Sequence, residues 1–101
     1  MKVNVQTPNF TAKAELLAFV EKKLSKLEQV YDRIIFADVF MKVHKTSEKE
    51  NKSVEILLSI PGDELMVRKE AKSFEEATDE SVKTLERQLK KKKQKQKIAL
   101  H

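Results

Sequence analysis

The chain has 101 residues, no cysteine, a single glycine (Gly62), 37% charged residues and a net charge of +5. This length suits one domain. The absence of cysteine excludes a disulfide scaffold and thiolate metal sites, and a single glycine excludes glycine-rich phosphate loops. The positive charge favours an anionic partner, whereas the absence of a long apolar run predicts no membrane span.

The first part of the chain predicts a strand, a helix and a second strand. Apolar and polar side chains alternate over residues 2–6, which is typical of a half-buried strand that ends before Pro8. Thr11 is the predicted N-cap of a helix. The buried face of this helix repeats at steps of three and four residues: Leu16, Val20, Leu24, Leu27 and Tyr31. Alternation returns over residues 37–43 and predicts the second strand.

Two further strands and a second helix follow a polar connection at residues 46–52. Residues 54–60 and 65–71 alternate on either side of the turn signal Pro61-Gly62. Ser73 and Glu76 form a capping box that opens the helix, with the inner stripe Phe74, Ala77, Ser81, Val82, Leu85 and Leu89. The order β-α-β-β-β-α predicts an α+β fold, a two-layer sandwich in which a four-stranded sheet carries two helices on one face.

Charge is strongly segregated along the second helix. Residues 73–82 carry four carboxylates and no cation, whereas residues 83–101, which we call the basic end, carry eight lysines and arginines against Glu86 alone. Acids at the start and bases at the end complement the helix dipole, but that effect needs only two or three cations. The apolar stripe also stops at Leu89. A solvated tail and a ligand-facing basic helix both remain open, and the excess charge favours the helix.

Candidate anion-binding residues occur on both helices. Lys83, Arg87, Lys90, Lys91 and Gln94 step along one face of the second helix. The first helix carries Lys22, Lys23 and Lys26 on its outward side, where an ordinary solvated helix face is the alternative. Side-by-side packing of the helices would join the two sets into one positive surface suited to the phosphates of a folded RNA.

Other candidate sites are weak. The two histidines, His44 and His101, lie far apart and predict no metal site. Asp32 and Asp38 have no accompanying nucleophile or oxyanion donor, so no catalytic centre and no cofactor are predicted. Phe36 and Phe40 are predicted on the open face of the sheet. We expect edge packing or a weak contact patch there rather than a platform for stacking bases.

Four stretches in this order resemble the ribosome hibernation-promoting factor family, also called the sigma-54 modulation or ribosome-associated inhibitor family. They are "KLSKLEQVYDRI" (23–34), "VFMKVHK" (39–45), "VEILLSIPGDEL" (54–65) and "SFEEATDESVKTLERQLKKKK" (73–93). The resemblance covers essentially the whole chain. It implies the fold expected above and a cytoplasmic protein that binds 16S rRNA in the small ribosomal subunit, where transfer RNA would sit, and inhibits translation in stationary phase or stress.

The resemblance also implies residue roles. Carried over by position, the rRNA contacts are Lys23, Lys26, Arg87, Lys90, Lys91 and Lys93, whereas Lys22 and Lys83 rest on the helix-face argument. Thr84 departs from relatives that carry a base there, and Phe74 replaces a tyrosine. Residues 1–101 are expected to be a single ribosome-binding domain, the short form of the family. A separate ribosome-dimerising factor is a further expected partner, and promotion or prevention of ribosome dimers stays open.

Two rival functions are weighed against ribosome binding. A general double-stranded RNA-binding domain has a related sandwich, but Glu75, Glu76, Asp79 and Glu80 would repel phosphate where such domains place cations. A protein-interaction module that modulates a transcription factor would use the open sheet face with Phe36, Phe40 and Leu57. We expect no membrane partner, because the basic end lacks an apolar face. We also expect no small-molecule substrate.

Overall fold

The computed structural model describes residues 1–44 and 51–99, with side chains described outside residues 96–99. The elements are β1 (Lys2–Gln6), α1 (Ala14–Ser25), α2 (Leu27–Val30), β2 (Phe36–Val43), β3 (Lys52–Ile60), β4 (Asp63–Ala71) and α3 (Phe74–Ala99). The predicted α+β fold is confirmed, with its first helix divided in two. Most of the predicted connection 46–52, and His101, lie outside the described residues.

The sheet is mixed, with the strand order β1-β2-β3-β4. β1 runs parallel to β2, whereas β2, β3 and β4 pair antiparallel. Parallel neighbours require a crossover connection, which α1 and α2 provide. β3 and β4 form a hairpin around Pro61-Gly62, and the φ angle of 77° at Gly62 shows why glycine suits this turn.

One layer of apolar side chains holds the sheet and the helices together. Alternate strand residues face the helices and are buried: Ala37, Val39 and Met41 on β2, Val54, Ile56, Leu58 and Ile60 on β3, and Val67 and Ala71 on β4. Val20, Leu24 and Leu27 oppose them from α1 and α2. All six residues of the stripe predicted for α3 are buried, and Leu89 is the last of them. The strand and helix periods therefore identify the core correctly.

The start and the end of the first helix differ from the prediction. Helix α1 begins at Ala14, and its N-cap is Lys13 rather than Thr11, with no side-chain hydrogen bond at the cap. The helix is interrupted at Lys26, because the Ser25 hydroxyl donates a 2.8 Å hydrogen bond back to the Lys22 carbonyl and competes with the backbone ladder. Leu27 and Tyr31 are buried as predicted, but Tyr31 is already in an extended conformation.

Helix α3 begins as predicted. The backbone N–H of Glu76 donates to Ser73 Oγ at 3.1 Å, which is the first half of the expected capping box. Phe74 is buried and stacks on Phe10, with 4.5 Å between ring centroids. The helix then continues without a break to Ala99, so the lysine run is helical. Within the described ranges, no helix combines the length and apolar character needed to cross a membrane.

Candidate nucleic-acid interface

The described part of the basic end is a strongly cationic helix surface. The side chains of Lys83 and Lys90 are 72% and 64% exposed, and Arg87, Lys91 and Lys93 are exposed as well. Residues three and four apart on a helix lie on the same side, so Lys83, Arg87, Lys90 and Lys91 form one ridge. A flexible, exposed cation can meet a phosphate without first being uncovered.

Only weak internal contacts hold these cations. Lys83 Nζ lies 3.7 Å from Asp79 Oδ2 and Lys90 Nζ lies 3.6 Å from Glu86 Oε1, both as pairs four residues apart. Such exposed pairs contribute roughly 0.3–0.5 kcal/mol, so an RNA phosphate can replace them at little cost. Lys91 and Lys93 have no ion pair among the described residues.

Thr84 orients Arg87. The guanidinium donates from Nη2 to Thr84 Oγ1 at 3.3 Å. The position where the resemblance expects a further base therefore supports the neighbouring arginine instead. Arg87 keeps its other donors available for an anion, because one guanidinium offers five.

The structure places α1 beside α3 through a charged contact. Lys23 Nζ lies 2.9 Å from Asp79 Oδ1 and 5.5 Å from the centre of the Phe19 ring, and its side chain is only 25% exposed. The hydrogen bond from Lys23 lowers the pKa of Asp79 below its ordinary value of 3.8, against the opposing effect of burial. Lys23 thus links the two helices, while Lys22 is exposed on α1 and Lys26 is exposed at the junction between α1 and α2.

A second ion pair joins α3 to the sheet beyond the end of the apolar core. Lys92 forms an ion pair with Asp63 at the start of β4. This hydrogen bond from Lys92 lowers the pKa of Asp63, together with a hydrogen bond from the backbone N–H of Glu64. Lys92 lies beyond the apolar stripe that ends at Leu89, and its ion pair joins the helix to the β3–β4 hairpin. Lys91 and Lys93, on either side of it, stay exposed.

Lys69 is a candidate contact that the sequence analysis missed. It lies on the edge strand β4, and its side chain faces the helix layer like those of Val67 and Ala71. There it lines an open depression of about 460 Å³ together with Glu80, Lys83, Thr84, Glu86 and Arg87. Strand alternation gives the signal, because it places a cation on the side where an apolar residue is expected.

The remaining polar candidates lie outside this surface. No three His, Asp or Glu side chains come together as metal ligands within residues 1–44 and 51–99. His44 is half-buried, just after β2, with Nε2 3.7 Å from Glu70 Oε1. Asp38 accepts a 3.1 Å hydrogen bond from Asn4 Nδ2.

Comparison with known proteins shows which family the chain resembles. Residues 3–97 match the family described as Sigma 54 modulation protein / S30EA ribosomal protein. The chain is 36% identical over 100 residues to the ribosome hibernation promoting factor of Pseudomonas putida. The aligned region covers 99% of this chain and 94% of that protein.

Two solved structures are similar as well. The N-terminal domain of Thermus thermophilus Protein Y has a TM-score of 0.79 and 27% identity, over 90% of this chain and 98% of that one. A ribosomal subunit interface protein from Coxiella burnetii, at a TM-score of 0.82 and 22% identity, covers 92% of this chain and 98% of that one and supports the fold. The match over residues 3–97 and the 36% identity to a curated relative confirm the resemblance: the chain belongs to the Sigma 54 modulation protein / S30EA ribosomal protein family.

Proposed function

We propose that this protein is a ribosome hibernation factor that binds the small ribosomal subunit through 16S rRNA and inhibits translation in stationary phase or stress. One observation carries the proposal: α3 continues as a helix to Ala99, past Leu89, the last buried residue among the described side chains, and presents Arg87, Lys90, Lys91 and Lys93 as exposed cations. The names of the curated relatives support the biological role.

The proposed mechanism is steric occlusion. The chain, acting as one ribosome-binding domain, occupies the channel where transfer RNA binds and is held there by phosphate contacts from α1 and α3. The contacts are Lys22, Lys23, Lys26, Lys83, Arg87, Lys90, Lys91 and Lys93. This mechanism includes no chemical step and no cofactor, so the protein is not an enzyme in this proposal. A protein that acts on ribosomes in this way works in the cytoplasm. A separate ribosome-dimerising factor is its second partner in this proposal.

The polarity of α3 disfavours a general double-stranded RNA binder. Glu75, Glu76 and Glu80 are exposed near the start of the helix, and Asp79 follows the same turn. A phosphate backbone laid along the whole helix would meet these carboxylates before it reached the cations. A folded RNA that contacts only the second half of α3 avoids this repulsion.

Co-sedimentation with purified small subunits tests the proposal. At low salt the protein should be retained, and initiator transfer RNA should displace it. If roughly six of the eight proposed cations each meet a phosphate, the logarithm of the binding constant should fall with the logarithm of salt concentration at a slope of about −4 to −5. Retention that transfer RNA does not affect would move the site elsewhere on the subunit. No retention at low salt would refute ribosome binding.

A matched pair of charge reversals locates the contact. Arg87→Glu with Lys90→Glu changes two cations on α3, and Lys2→Glu with Lys42→Glu makes the same charge change on the exposed outer side of β1 and β2. The α3 pair should abolish retention, whereas the sheet pair should leave it largely intact. Equal losses from both pairs would indicate attraction by net charge alone.

A further inference from the structure

The sheet face opposite the helices carries a small groove with exposed apolar side chains. Phe40 and Met66 are 43% and 57% exposed, and Leu57 between them is half-buried. The strand register places Asp38 and Met66 on either side of Leu57, and it places Phe40 beside Glu55 in the next row. These five residues line a groove of about 160 Å³.

The two carboxylates of the groove lack an internal cation. Arg68 lies directly opposite Glu55 in the register, but its guanidinium donates to Glu70 Oε1 at 3.1 Å instead. Glu55 has no hydrogen bond or ion pair among the described residues. Asp38 accepts a single hydrogen bond, from the neutral amide of Asn4. The lining of the groove therefore combines an exposed aromatic ring, an apolar floor and two carboxylates, with no cation among the five residues.

We propose that this groove binds an arginine side chain of a partner protein. A guanidinium stacks on an aromatic face and pairs with carboxylates in the same plane, which matches Phe40 flanked by Glu55 and Asp38. The aliphatic part of the arginine would lie on Leu57 and Met66. A volume of about 160 Å³ is below the roughly 300–1,000 Å³ of small-molecule pockets, so it suits one side chain.

Charge complementarity selects a protein over RNA as the occupant. A phosphate in the groove would meet Asp38 and Glu55, and the five lining residues include no cation. The exposed Lys42 of the same face is not among them, and the cationic ridge of α3 lies on the opposite layer. The two faces of the domain would then serve different partners at once, with RNA on the helices and an arginine-bearing protein segment on the sheet. This inference goes beyond the proposed function and does not require it.

The test uses the full chain and the synthetic peptide acetyl-Leu-Arg-Leu-amide as the probe. In amide chemical-shift titrations the peptide should cause saturable changes centred on residues 38, 40, 55, 57 and 66. The dissociation constant should be on the order of 1 mM for so small a contact. Acetyl-Leu-Gln-Leu-amide should leave these amides unchanged, and the lysine peptide should bind more weakly because it lacks the planar fork.

Matched variants separate the groove from general charge effects. Glu55→Gln should weaken binding of the arginine peptide about tenfold. Phe40→Leu should also weaken this binding, although it keeps the apolar floor of the groove. Glu64→Gln, an equal charge change at the exposed start of β4, should have little effect. Equal binding of the glutamine or lysine peptide, or equal effects of Glu55→Gln and Glu64→Gln, would overturn the assignment. Shifts of the same five amides with a uridine hexanucleotide would assign the face to RNA and would also overturn it.

Discussion

Lys23 and Asp79 join α1 to α3, with 2.9 Å between Lys23 Nζ and Asp79 Oδ1. The other oxygen of Asp79 lies 3.7 Å from Lys83 Nζ. One carboxylate therefore contacts a cation from each of the two candidate RNA-binding sets. Asp79 also stands at the point where α3 changes from acidic to basic. The contact fixes the relative position of the two sets, and it gives Lys23 a structural role besides the RNA contact that the family resemblance implies.

Replacement of Lys23 separates its two roles. Lys23→Met should lower the free energy of unfolding by less than about 1 kcal/mol, because both partners are partly exposed to solvent. It should also raise the pKa of Asp79 towards its ordinary value, measurable by carboxyl carbon NMR. The exposed neighbour Lys22→Met is the control and should leave that pKa unchanged. An unaltered pKa in Lys23→Met would show that the ion pair does not form in solution.

Acid should weaken the protein through Asp63 and Asp79. The pKa of each carboxyl is lowered in the folded protein, so each contributes stability that is fully present above the unfolded value of about 3.8. That contribution is lost as the pH falls below 3.8 through the folded pKa. Asp79→Asn should therefore flatten the dependence of unfolding free energy on pH between about 5 and 2, measured by denaturant titration. Parallel curves for the variant and the natural protein would contradict this.

Apolar periodicity predicts most of this fold, and it fails where a side chain competes with the backbone. Val54 to Ile60 and the stripe from Phe74 to Leu89 lie where alternation and helical spacing place them. The interruption after Ser25 depends on one hydroxyl that bonds to the Lys22 carbonyl, and apolar spacing carries no trace of that bond. Thr11 resembles a cap by residue type alone, yet the helix begins three residues later.

The candidate RNA-binding site, like the fold, was predictable from the sequence only in part. Exposure of Lys90 and Lys91 follows from the end of the apolar stripe, so the ridge on α3 could be predicted. The pairing of Lys23 with Asp79 and of Lys92 with Asp63 could not, because each joins residues far apart in sequence whose distance depends on the packed fold. Lys69 gave a readable signal in the alternation of β4, but its closeness to Lys83 and Arg87 appears only after α3 is packed on the sheet.

Thr78 offers a stabilising substitution. Its side chain is fully buried on α3, and Oγ1 has no hydrogen-bond partner among the described residues. An unpaired buried hydroxyl costs on the order of 1 kcal/mol. Thr78→Val keeps the shape and removes the hydroxyl, so the free energy of unfolding should rise by about that amount in denaturant titrations. Thr78→Ser keeps the hydroxyl and loses the methyl group, and it should destabilise. A loss of stability in Thr78→Val would mean that the hydroxyl is paired in solution.

Lys69 should contribute to RNA binding as much as a cation of α3. It lines the same depression as Lys83 and Arg87, and a phosphate seated there would contact cations from both β4 and α3. Lys69→Gln should weaken binding to small subunits. The slope of the logarithm of the binding constant against the logarithm of salt concentration should become less steep by about 0.7–0.9, the amount expected for one phosphate contact. Lys83→Gln should have a similar effect. Lys72→Gln removes an exposed lysine just after the same strand and serves as the control. If Lys69→Gln matched Lys72→Gln while Lys83→Gln lost affinity, the RNA contact would be confined to the helix and the depression would be excluded as a phosphate site.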